Sequence, residues 1–224
     1  MKNDQTISYK EIQKNEEINL LITQGNAILE ILGYTEHSKH HALKVANTAG
    51  EILKDLGYSK HKIELARIAG YLHDIGNSIN RNDHAHSGAI LAYELLKGLG
   101  MPLKDAITVA SAIGHHDEET GTAIDEISAA LILADKTDVR RNRVRNPIIA
   151  NFDSHDRVNY SVLSAKIKVC TDKKVIQMDL ELDDSISTVM DYFEIFLKRM
   201  VMCQKAAQVL GLKFKLIANG SKMC

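Results

Sequence analysis

The chain has 224 residues, with 28 Lys and Arg against 29 Asp and Glu, and a formal net charge of −1. That size suits one large domain or a domain with a small appendage, and the near-neutral charge disfavours a globally basic nucleic-acid binder. Apolar residues at 45% and charged residues at 25% are ordinary for a globular protein. No run approaches the roughly 18 apolar residues of a membrane span. Met1 to Glu17 is polar and lacks a signal core, so the cytoplasm is the expected location. Cys170, Cys203 and Cys224 form no CxxC and read as free thiols.

The first two-thirds of the chain has helical periodicity. The spacing predicts helices over about Tyr9–Leu32, Thr35–Leu56, Ser59–Gly76, Ala85–Leu99, Met101–Gly114 and Thr122–Asp138. Glycines after apolar stripes act as stops, and Pro102 suits a first turn. Asn146-Pro147 breaks the pattern before a segment with no clear assignment. Ala165, Ile167 and Val169, then Ile176, Met178, Leu180 and Leu182, alternate with polar residues around Thr171–Lys174, which reads as a hairpin. Asp183-Asp184 introduces a long amphipathic helix with Ile186, Val189, Phe193, Phe196, Met200 and Val201, ending near Gly211. Leu212, Phe214 and Leu216 suggest a last strand. The expected architecture is mainly α: a helical domain over residues 1–150 and a small C-terminal α+β (ββαβ) unit over residues 160–224. The apolar face of its helix serves packing on the hairpin and the helical domain, or else a homodimer surface or a lid.

Histidine is the commonest metal ligand, and the chain has ten. His-Asp occurs three times, at His73-Asp74, His116-Asp117 and His155-Asp156, and context separates them. Leu65, Ala69 and His73 are spaced i, i+4, i+8, which puts His73 on a buried stripe. His41 extends the stripe of Val45, Ala49 and Ile52. Asp135 extends that of Ile127 and Leu131. Polar groups on apolar stripes need a partner or a metal, because burying an unpaired carboxylate is costly.

In order, His41 in "HHALKVA", His73-Asp74 in "AGYLHDIGN" and Asp135 in "LILADKTD" resemble the HD superfamily of metal-dependent phosphohydrolases. His84 in "HAHSGA", with its His-x-x-x-Gly spacing to Gly88, and His115-His116 in "IGHHDE" resemble its two-metal branch. That branch includes HD-GYP proteins and diadenosine tetraphosphate hydrolases. The resemblance runs from about Thr35 to Arg145 and implies an HD-domain helical bundle. It implies that His41, His73, Asp74 and Asp135 hold one divalent metal. Asp74 would be shared with a second, completed by His84, His115 and His116. The metals would be Fe, Mn, Ni, Co or Zn, and the reaction hydrolysis of a small phosphate ester or anhydride, a nucleotide foremost, by a metal-activated water. His86 competes with His84, and the spacing to Gly88 favours His84.

Two departures matter. Asn77 stands where the family often has Lys, and "DEETGTAI" replaces the Gly-Tyr-Pro signature, which disfavours a cyclic dinucleotide as substrate. His37, His40, His61 and His155 match no ligand position. Asp117 follows a ligand and is expected to orient it or to assist proton transfer, a role Glu118 could share. Lys136, Arg140, Arg141, Arg143 and Arg145 crowd into ten residues. They read either as a substrate phosphate site near the metals, since Arg forks suit phosphate, or as a solvated helix end. A nucleic-acid patch is disfavoured by the absence of interleaved aromatics. Two further functions share these ligands: a di-iron oxygenase of the same superfamily, and a non-catalytic metal-binding sensor.

Overall fold

The computed structural model describes residues 7–146, 148 and 151–223. Nine α-helices and one four-stranded sheet lie among them: α1 (Tyr9–Lys14), α2 (Glu16–Ile31), α3 (Lys39–Asp55), α4 (Lys60–Leu72), α5 (His84–Gly98), α6 (Leu103–Gly114), α7 (Glu126–Lys136), α8 (Ser154–Ser161), β1 (Val162–Cys170), β2 (Val175–Leu182), α9 (Val189–Val209), β3 (Lys213–Ala218) and β4 (Ser221–Lys222). The protein is therefore mainly helical with a small sheet, as the periodicity indicates.

Capping chemistry sets the boundaries. The span read as one helix over Tyr9–Leu32 is two, because Asn15 takes an extended conformation and its side chain accepts from Ile18 N. That caps α2 and interrupts the stripe. Ser38 caps α3 four residues into the expected span, and Asp125 caps α7 through a reciprocal pair with Ser128. Gly33 and Gly57 follow α2 and α3 with φ of +80° and +75°, a left-handed stop that costs glycine little. The stretch left unassigned contains α8, capped by Asp153. Pro147, read as part of the break, lies outside the described residues.

β1 and β2 form the expected antiparallel hairpin. α9 begins at Val189 rather than near Asp183, its N-cap Thr188 forming a capping box with Asp191, and leads to β3, which pairs in parallel with β2. A short β4 closes the far edge and extends ββαβ by one strand. Ile176, Met178, Leu180 and Leu182 share the buried face of β2, and α9 buries Tyr192, Phe196, Met200 and Cys203. One hydrophobic cluster runs from Ile12 in α1 through Leu72, Ile113 and Leu131 to Leu216 in β3. Cys170 and Cys203 are free thiols, and Cys224 lies outside the described residues. Among the described residues no helix is long and apolar enough to cross a membrane.

Candidate metal centre and its cleft

Five helices deliver the polar cluster at or near their ends. His41 lies in the first turn of α3. His73 and Asp74 directly follow α4, His84 opens α5, His115 and His116 follow α6, and Asp135 is next to last in α7. Two close backbone approaches bring these ends together. A Cβ on Gly70 would stand 2.7 Å from Ala46 Cα, so α3 and α4 pack backbone against backbone. A Cβ on Gly76 would fall 2.0 Å from His84 O and 2.6 Å from Gly88 N. The start of α5 therefore rests against the turn after Asp74, and the His-x-x-x-Gly spacing is the footprint of that contact.

Six of the seven predicted ligands converge. His41 Nε2 lies 3.2 Å from His73 Nε2, 3.4 Å from Asp135 Oδ1 and 3.6 Å from Asp74 Oδ2. His73 Nε2 lies 3.1 Å from Asp74 Oδ2 and 3.6 Å from Asp135 Oδ1. On the other side, Asp74 Oδ1 is 3.6 Å from His84 Nε2 and 4.0 Å from His116 Nε2, and those two nitrogens are 3.2 Å apart. Asp74 thus turns one oxygen to each group. His73, His116 and Asp135 also form a triplet of donor atoms within 4.8 Å of one another.

Outer partners fix the ring orientations. His73 Nδ1 donates to Gly70 O at 2.9 Å, His84 Nδ1 to Arg81 O at 3.2 Å and His116 Nδ1 to Ile113 O at 2.6 Å. His41 Nδ1 donates to Asp138 Oδ2 at 2.8 Å. Each ring then presents Nε2 to the cluster, the arrangement of metal-binding histidines. Lone pairs facing lone pairs and carboxylate oxygens repel unless a positive charge sits among them. Among the described residues, Asp74 Oδ2 is buried with no hydrogen-bond partner. This donor set, nitrogen and oxygen around an orphaned carboxylate oxygen, fits divalent transition metals.

Electrostatics show the same demand. Burial disfavours an imidazolium at His73, yet Asp74 and Asp135 more than offset it and push its pKa up to about 10. Burial holds His116 and His84 below the ordinary histidine value. Burial raises Asp74 and Asp135, but the charge on His73 overturns this for Asp74, and Lys136 with the histidines does so for Asp135, leaving both well below the usual carboxylate range.

The remaining predicted residues divide between the cleft and its surroundings. His115 stands outside the cluster, with Nδ1 on Ser111 O at 2.8 Å. Asp117 Oδ2 is 3.8 Å from His84 Nδ1, and its Oδ1 accepts from Glu119 N. Lys136 bridges Asp135 Oδ2 at 2.9 Å and Glu118 Oε2 at 2.6 Å. Arg140 forks onto Asp138, while Arg141 is claimed by Tyr160 O and Asp183, so neither lines the cleft. Arg143 does, with its guanidinium donating to Glu36 O and Asp138 O. His86 is exposed beside Asp83, and His61 pairs with Asp105.

A cleft of about 480 Å³ opens onto Asp74, His84, His116 and Asp135. Its basic groups are Arg81, Lys136, Arg143 and Arg199, and its carboxylates are Asp74, Glu118, Asp135, Asp153 and Asp156. Arg199, on α9, reaches Glu118 at 2.9 Å across 81 residues of sequence, a contact no local pattern announces. His37 and His155, which match no ligand position, also line the cleft, as does Arg81, a residue that no motif marks. Asn77 donates to Asp74 Oδ1 at 2.9 Å, so the residue that replaces the family's lysine steadies the shared carboxylate.

Residues 39–157 match the family model described as HD domain. An uncharacterised protein of Methanocaldococcus jannaschii is 30% identical over 200 residues, which is 79% of this chain and 76% of the relative. Ribonuclease Y of Oceanobacillus iheyensis is 32% identical over 120 residues, 53% of this chain but 21% of the relative. A solved structure described as a predicted HD superfamily hydrolase from an uncultured Thermotogales bacterium is similar with a TM-score of 0.45 at 26% identity, covering 60% of this chain and 75% of that one.

Proposed function

Because the chain belongs to the HD domain family, we propose that it is a phosphohydrolase using two divalent cations to cleave a small phosphate ester or anhydride, with a nucleotide as the foremost class. His41, His73, Asp74 and Asp135 would hold one cation, and Asp74, His84 and His116 the other. The observation that carries this reading is the split of Asp74, with Oδ2 toward one group of nitrogens and Oδ1 toward the other. Divalent cations held there would polarise a phosphoryl oxygen and lower the pKa of water.

The chain's own groups supply the rest. Lys136 holds Asp135 Oδ2 and leaves Oδ1 facing His41 and His73. Asn77 donates to Asp74 Oδ1, the oxygen that faces His84 and His116. Arg81, Arg143 and Arg199 put positive charge along the wall where phosphate oxygens would lie. Glu118 is buried, which raises its pKa, but Lys136 and Arg199 drive it far below the carboxylate range. It therefore stays an ionised acceptor that aims two cations into the cleft. Asp117 does not line the cleft and is assigned an orienting role at His84.

Four basic groups against five carboxylates leave the cleft close to neutral. It becomes strongly positive, and suited to a phosphate, only with divalent cations in place. RNA is the second reading, favoured by the likeness to ribonuclease Y. Asp153 and Asp156 in the cleft wall oppose a long polyanion and suit a small ligand. The test is phosphate release from nucleotides, simple esters and oligoribonucleotides under added Mn²⁺, beside Asp74→Ala. Release from small substrates, lost in the variant, supports the proposal. Cleavage of oligoribonucleotides alone would move the substrate to RNA.

A further inference from the structure

The basic run after Asp135 has a use other than binding substrate. Asp138 is 2% exposed and sits behind His41, on the side away from the cluster. Its Oδ2 accepts from His41 Nδ1 at 2.8 Å. Lys44 Nζ stands 2.8 Å from its Oδ1, and Arg140 places Nε 2.7 Å from Oδ1 and its terminal nitrogen 2.9 Å from Oδ2. Arg143 donates to the Asp138 carbonyl at 2.7 Å and lies 3.8 Å from Oδ2. Three permanent cations therefore converge on one carboxylate, and its remaining side-chain donor among the described residues is the ring of a candidate ligand.

A buried carboxylate used only to tie the end of α7 to α3 would be satisfied by Lys44 and Arg140. The hydrogen bond to His41 adds a directional constraint. It fixes the Nδ1–H tautomer, turns Nε2 toward His73 and Asp135, and makes the imidazole a stronger donor. His73, His84 and His116 hydrogen-bond backbone carbonyls instead, and Asp117 comes no nearer than 3.8 Å to His84 Nδ1, so His41 alone among the four has its Nδ1 hydrogen-bonded to a carboxylate.

We propose that Asp138 is a positioning residue for the metal site at His41, and that Lys44, Arg140 and Arg143 form a cage holding it in place. This rests on the reading of His41 as a ligand, not on any substrate. The cage assigns Arg140 a role the sequence reading gave to phosphate binding.

The test is Co²⁺ titration of the full chain, followed by the cobalt absorption bands, with Asp138→Asn made in the parent and in His116→Ala. The second background leaves the His41 site as the one under observation. The expected result is a loss of roughly 10–100-fold in affinity at that site, with the affinity of the His84–His116 site unchanged. Arg140→Ala should weaken the same site to a smaller degree, and Arg140→Lys should restore it. Circular dichroism checks the fold, and if Asp138→Asn does not fold, the Arg140 pair decides the matter. Unchanged affinity, or equal loss at both sites, overturns the proposal. A parent that takes up no cobalt refutes the ligand assignment itself, whereas a parent that binds while the variants match it refutes the positioning role alone.

Discussion

His73 and Asp74 are neighbours in the chain, yet their Nε2 and Oδ2 atoms stand 3.1 Å apart in one cluster. Adjacent residues in a continuous helix point about 100° apart. α4 stops at Leu72, and the turn that follows at Ile75–Ser78 lets both side chains face the same space. Asp74→Ala should consequently empty both metal positions rather than one. Elemental analysis of the purified variant should find metal lost from the chain. A variant that keeps one full equivalent would show that Asp74 serves a single site.

His116→Ala is expected to act on one position. His116 lies 3.2 Å from His84 and 4.0 Å from Asp74 Oδ1, and it shares no donor triplet with His41. Metal stoichiometry should fall by about half, with the remaining affinity within a few-fold of the parent. Equal loss of both metals would contradict the two-group geometry.

Several of these relationships were legible from the sequence and several were not. Apolar stripes placed His41, His73 and Asp135 on buried faces, because a 3.6-residue period reports burial directly. His84 could be separated from His86 by its spacing to Gly88, and the packing of Gly88 beside Gly76 is the physical reason. The basic run could not be resolved in the same way. Nothing local reveals that Asp138 is buried and draws in Arg140, or that Arg141 turns to Tyr160 and Asp183. Arg199 was invisible because its placement depends on α9 packing against α7, far away in the chain. His115 and His116 look equivalent in "IGHHDE"; only the backbone at the end of α6, which ties His115 to Ser111, distinguishes them.

The arginines should behave unequally. Arg199→Ala removes a cation from the cleft wall and should raise KM for an anionic substrate more than it lowers kcat. Arg141→Ala should leave both parameters as they are. Arg143→Ala removes a buried guanidinium bonded to Glu36 O and Asp138 O, and should cost roughly 3 kcal/mol of stability. Steady-state kinetics and denaturant melts of the three variants check this. A KM effect at Arg141 equal to that at Arg199 would contradict the placement of these side chains.

Stability after chelation should peak near pH 6.5. His37, His84 and His116 are held below their ordinary values, chiefly by burial, so falling pH favours the unfolded chain that protonates more readily. Asp74 and Asp135, depressed in the fold, add stability above their unfolded range and lose it in acid. His73, raised to about 10, works in the opposite sense: its contribution is complete below the unfolded value and is lost as pH climbs toward 10. Tm of chelated protein should therefore decline from pH 6.5 to 9, and added Mn²⁺ should reduce that decline by replacing the proton. A chelated Tm that rises over this interval would contradict the charge balance of the cluster.

The most direct test of the central claim is elemental analysis of the purified chain, paired with a phosphate-release assay over nucleotides and simple phosphoesters. Two metal ions per chain, with release that disappears in Asp74→Ala, is the result expected of a binuclear phosphohydrolase. Two irons with oxygen consumption and no released phosphate would contradict it and turn the same six ligands to oxygen chemistry.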